Sequence, residues 1–155
     1  MAKQRSSASR ALPPLPQKVD DSLVVRTHYG DEARWRALRD AIVAPVGEFR
    51  AHVRFVEDPA YADASVANLV GAAAVLEESF FFVADRRSIE DAEHSILVVD
   101  LLRHPARTFR VIPREAWGVE NNLSLANMDF DEFAGAADDD GVFRGFKGHG
   151  RDPDV

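Results

Sequence analysis

From Ser22 onward, short apolar runs alternate with stretches in which apolar residues return every three to four positions. SLVVRT (residues 22–27) is rich in β-branched side chains and reads as a strand. In DEARWRALRDAIV (31–43), Trp35, Leu38 and Ile42 recur at helical spacing, acids occupy the first turn and Pro45 follows, which predicts an amphipathic helix. AHVRFVED (51–58) alternates, with Val53 and Phe55 on one face. DASVANLVGAAAV (63–75) opens with two N-cap candidates, Asp63 and Ser65, and carries Val66, Leu69, Val70 and Ala73 as its apolar stripe. The unbroken runs SFFFVAD (79–85) and SILVVDLL (95–102) are of the kind expected where both faces of a strand are covered. RTFRVIP (107–113) alternates again, with Phe109 and Val111 opposite Arg110. Only RHPA separates it from the preceding run, so the two strands must pair antiparallel, since a parallel crossover needs about a dozen residues.

This order, β-α-β-α-β-β-β-α, predicts an α/β chain, with α+β as its variant. The expected architecture is a single mixed sheet of about five strands with helices packed on it, the runs at 79–85 and 95–102 being central. Residues 1–20 are rich in Ser, Ala, Arg and Pro and lack periodicity, so they are expected to form a disordered basic arm. One globular domain is expected at 21–146 and a flexible tail at 147–155. Within the arm, RALPPLP (10–16) has the proline spacing of a polyproline helix with a flanking base, either a stiff spacer or a ligand of the kind SH3 domains bind.

The last helical pattern follows ENNLSLANMDFDEFAG (120–135). Asp129 and Glu132 stand three apart at its start, the spacing of a capping box, and Met128 is placed to staple onto Phe133. Phe130, Phe133, Ala134 and Ala137 form its buried face. Asn121, Asn122 and Asn127 have two readings: they hold an irregular connection before the helix, or one amide faces a ligand with Glu120 or Arg144 nearby.

Composition narrows the field. At 155 residues the chain is sized for one domain, and 46% hydrophobic with 29% charged residues is ordinary globular usage. No apolar run approaches the roughly 18 residues of a membrane span. The net charge is −7; four basic residues and no acid before Asp20 leave about −11 on the rest, which disfavours a nucleic-acid partner. There is no cysteine, so disulfide and thiolate chemistry are excluded, and a cytoplasmic address is expected.

The segments SLVVRT, FRVIPREAWGVENNLSLANMDFDEFA and DGVFRGF together resemble an uncharacterised domain family of actinobacterial proteins, over residues 22–146. The ending NLSLANMDFDEFA also resembles the closing segment of SUKH-type immunity and Smi1-like proteins, which are non-catalytic binders. The first resemblance implies boundaries and a bacterial context; the second implies protein binding. Neither implies catalytic residues.

Motifs for catalysis are missing from the sequence: there is no G-x-S-x-G turn, Walker loop, GxGxxG or HExxH, and the five histidines show no metal-ligand spacing. DDD (138–140) lacks the alternating register of an EF-hand loop. No metal or cofactor is expected. If the first three strands are parallel, Arg26, Asp58, Asp85 and Arg86 lie at their carboxyl ends, where open α/β sheets place ligands. With Asn121, Asn122, Asn127 and Arg144, these are the candidate ligand- or partner-binding residues. The sequence thus favours a non-catalytic bacterial interaction module, immunity-like, acting on a protein partner through an acidic surface. The alternative is a small-molecule binder or enzyme with a crevice at the strand ends.

Overall fold

The computed structural model describes residues 12–16, 20–74 and 77–147. The rest of the expected arm and tail, with Val75 and His149, lies outside the described residues. One mixed sheet of six strands organises the chain, in the order β2-β1-β3-β4-β5-β6. Its elements are β1 (Ser22–Arg26), α1 (Glu32–Val43), β2 (Val53–Val56), α2 (Val66–Ala72), β3 (Phe80–Ala84), α3 (Arg86–Glu90), β4 (Ile96–Asp100), β5 (Thr108–Val111), α4 (Ala116–Ser124), α5 (Phe130–Gly135) and β6 (Val142–Phe143).

β1 pairs parallel with both β2 and β3. β4 runs antiparallel to β3 and to β5, and β3 and β4 occupy the middle of the sheet, as their unbroken apolar runs require. The chain moves one way from β1 to β2 and the opposite way from β2 to β3. A common handedness for the two crossovers therefore puts their helices on opposite faces. That is observed: α1 buries Trp35, Leu38 and Ile42 against Val24, Phe80 and Phe82, whereas Leu69 of α2 packs with Leu23, Val25, Phe81 and Val83. α4 and α5 join α1 on the first face, where Phe130 and Phe133 meet Phe109 and Phe143. Ser65 caps α2 through the Asn68 N–H, so of the two N-cap candidates Ser65 takes the position.

Besides the short helix α3 between β3 and β4, which the predicted order lacked, three features depart from the sequence reading. A sixth strand, β6, returns the chain parallel to β5. Asn121 and Asn122 lie inside a helix, α4, and not in an irregular connection; Ala116, Val119 and Leu123 give that helix a buried stripe strong enough to outweigh Gly118 and two asparagines. Residues 12–16, inside the expected arm, lie against the sheet face that α2 covers, with Leu15 buried. Their three prolines restrict the backbone in advance, so the entropy cost of placing them is small.

Candidate functional site

The carboxyl ends of the parallel strands are filled by the chain's own side chains. Arg26 is 2% exposed, donates to the His28 carbonyl at 2.9 Å and to Glu32 at 3.0 Å, and is sandwiched by Tyr29 and Trp35 at 4.0 and 4.8 Å from its guanidinium. Asp58 accepts from the Ala60 N–H and caps a 3-10 turn. Asp85 caps α3 in a capping box with Ser88 and receives both terminal nitrogens of Arg110. Burial pushes the Asp85 carboxyl up, and Arg110 and Ser88 pull it down by more, leaving it below its ordinary value. Arg86 points to solvent beside Glu90. Arg26, Asp58 and Asp85 each have local partners, and none of these contacts joins the three around a common opening.

The Asn block divides in the same way. Asn122 donates to the Gly118 carbonyl one turn back, and Asn121 donates to Glu120. Glu120, 3% exposed, is the real centre: its carboxylate accepts from Ser22, Ser124, Asn121 and the His52 N–H, tying α4 to the start of β1 and the approach to β2. Arg144 pairs with Glu93, Asp140 and Asp138, which pull its pKa upward in that order. Hydrogen bonds from Arg144 lower Glu93 and Asp140, and those from Lys147 and then Arg144 lower Asp138. Asp138 and Asp140 of the DDD run are thus paired from within the chain.

Asn127 alone among the sequence candidates opens onto an apolar-floored groove of about 390 Å³ between the β4–β5 loop and the joint from α4 to α5. Asp100, buried at the end of β4, shapes the first wall. Its carboxylate accepts from the N–H groups of Leu102, Arg103 and His104 and from Arg107. The second wall is a Schellman helix end: the Ala126 N–H donates to Leu123 and the Asn127 N–H to the Asn122 carbonyl, which turns the chain sharply into the Asp129–Glu132 capping box. Met128, before the cap, packs into the core cluster that holds Phe133. Both walls use an alanine in the left-handed region, Ala106 at φ 79° and Ala126 at φ 58°.

The groove has an apolar floor of Phe80, Leu123, Met128 and Phe130, and a charged rim of Arg103, Arg107, Asp129, Asp131 and Glu132. Arg107 stacks over Phe130 at 4.7 Å and pairs with Asp131, yet its Nε is buried without a partner. Two of the three large exposed apolar side chains among the described residues belong to the segments that form these walls. Leu102 lines the mouth, and Leu125 sits between the lining residues Leu123 and Ala126, each 69% exposed. Sequence reasoning found the capping acids and Asn127 but missed Asp100, Leu102, Arg103 and Arg107. The available signal was LLRHPAR itself, a hairpin loop that spends two leucines where turn residues are usual.

Among the described residues, no group of three or more His, Asp or Glu side chains is placed to hold a metal ion, and no helix is long and apolar enough to cross a membrane. Fold and groove together define a single-sheet α/β domain with one apolar-floored, acid-rimmed opening at the joint of its last two helices. The chain belongs to the family described as Domain of unknown function (DUF6924), which it matches over residues 21–146. No curated protein matches it.

Proposed function

We propose that the protein is a non-catalytic interaction module, bacterial and immunity-like as its closing segment resembles, which works in the cytoplasm and takes a protein partner at the groove. The observation that carries this reading is Leu102, exposed to solvent at the mouth of an apolar-floored groove, with the equally exposed Leu125 next in sequence to the lining residue Ala126. Lone exposed leucines are unremarkable, but one at the mouth of an apolar-floored groove with a charged rim matches the apolar centre and polar rim of interfaces. Four acids against two arginines in the lining favour a partner segment with an apolar anchor and basic flanks. A small-molecule site in the same groove is the second reading, and the unpartnered Nε of Arg107 is what favours it.

Immobilised full-length chain is used to capture partners from a bacterial extract at low salt, in parallel with a Leu102→Asp/Leu125→Asp variant and with Arg86→Ser at the other end of the sheet. The expected result is a specific partner held by the unchanged chain and by Arg86→Ser and lost from the leucine variant at an unchanged melting temperature. Capture indifferent to both leucines would overturn the reading. Retention of a small ligand by the leucine variant would favour the second one, since the floor is left intact.

A further inference from the structure

Residues 12–16 stand outside the span that matches the family, whereas the surface they cover lies inside it. The contacts are specific. Leu15 is 2% exposed in a slot formed with Leu23, Val25, Leu69 and Ala73, and its N–H donates to the Ala72 carbonyl at 2.9 Å. The Tyr61 hydroxyl lies 2.8 Å from the Pro13 carbonyl and 3.0 Å from that of Pro14, and it donates to them. Burial raises the Tyr61 pKa, so the hydroxyl keeps its proton, and its role as donor, through neutral pH.

Proline fixes its own φ, and Leu12, Pro13 and Leu15 each precede a proline and are biased to extended backbone. Such a segment arrives pre-organised, with carbonyls turned outward and little freedom to lose. A tyrosine hydroxyl reading proline carbonyls beside a slot for leucine is the chemistry of polyproline recognition. Along the prolines runs a cleft whose charged lining is Arg54, Glu57 and Asp58, and Arg10, two residues before Leu12 in sequence, is basic.

We propose that this face is a polyproline-binding seat, recognising its ligand through Tyr61 and the Leu15 slot. The ligand is the chain's own Leu-Pro-Pro-Leu-Pro segment, resident in cis and exchangeable with the identical segment supplied in trans. The seat is distinct from the groove and does not depend on it.

The test uses the full chain with Leu15→Asp, which places a charge in the slot and empties it. A fluorescent synthetic peptide of residues 10–18 is titrated in and followed by anisotropy. Saturable binding to the Leu15→Asp chain is expected, at least ten-fold weaker binding to the unchanged chain with its seat occupied, and a loss of five-fold or more when Tyr61→Phe is added. A scrambled peptide should not bind. Should Leu15→Asp fail to fold, Leu15→Ala provides the same comparison. Absence of binding to the emptied chain, equal binding to both chains, or indifference to Tyr61→Phe would each overturn the proposal.

Discussion

Glu120 shows what a single buried carboxylate does when four donors converge on it. Glu120→Gln keeps the shape, and the two serine hydroxyls can turn to accept from the new amide, so the cost should stay within about 1 kcal/mol. Glu120→Ala strands the His52 N–H and leaves a cavity, and about 3 kcal/mol should be lost in urea unfolding. Asn122 behaves differently. Its amide only returns to the Gly118 carbonyl of its own helix, so Asn122→Ala should change stability by no more than about 0.5 kcal/mol, because alanine's helix propensity offsets the lost bond. A fall of several degrees in melting temperature would show that the amide has a task beyond its helix. These roles were half legible in the sequence: polarity at 120–122 was plain, but the convergence of Ser22 and His52 on Glu120 spans 98 and 68 positions, and no local pattern carries it.

Among the elements, the capped helix α5 was the most readable, because Met128, Asp129 and Glu132 state its start within five residues. Asp129→Ala should cost about 1 kcal/mol, and Asp129→Asn almost nothing, since asparagine caps as well. Phe133→Ala should cost about 3 to 5 kcal/mol. The helix before it was missed because propensity argued against Gly118-Val-Glu-Asn-Asn, while its buried stripe repeats at 116, 119 and 123. The end of α4 carries the clearest engineering handle: Ala126 sits where a Schellman motif favours glycine, so Ala126→Gly should stabilise by about 1 kcal/mol by calorimetry. If the groove at Ala126 is a binding site, the same substitution should weaken the partner, since the strained turn that shapes the wall is relaxed.

At the scale of the molecule, alternation and unbroken runs exposed the sheet, its mixed pairing and its central strands. The groove was not exposed, because it forms where two loops meet and neither loop has a period. Charge links distant parts as well. Asp85, Glu93, Asp138 and Asp140 all titrate below their ordinary values. Each therefore contributes stability that is complete above the ordinary carboxyl range of 3.8 to 4.5 and is lost as pH falls through its lower folded value. The melting temperature should hold from pH 7 to about 5 and then fall, and the fall should be shallower in Arg144→Met, which releases Glu93 and Asp140 and leaves Asp138 held by Lys147; an identical acid slope would contradict this assignment.

The sheet's two halves also differ in how far apart in the chain their partners lie. Val98 meets Phe109 across a hairpin, while Val24 must find Phe82, 58 positions on, and Leu23 must find Arg54. Closing a long loop costs entropy before any contact is gained, so the order of assembly follows from the pairing alone. The hairpin and the helices behind it should organise first, and the parallel half should close onto them. Stopped-flow kinetics would then show Val98→Ala slowing refolding, while Val56→Ala mostly hastens unfolding. On that order the groove, whose walls come almost wholly from residues 100–132, exists before the parallel half has closed onto it.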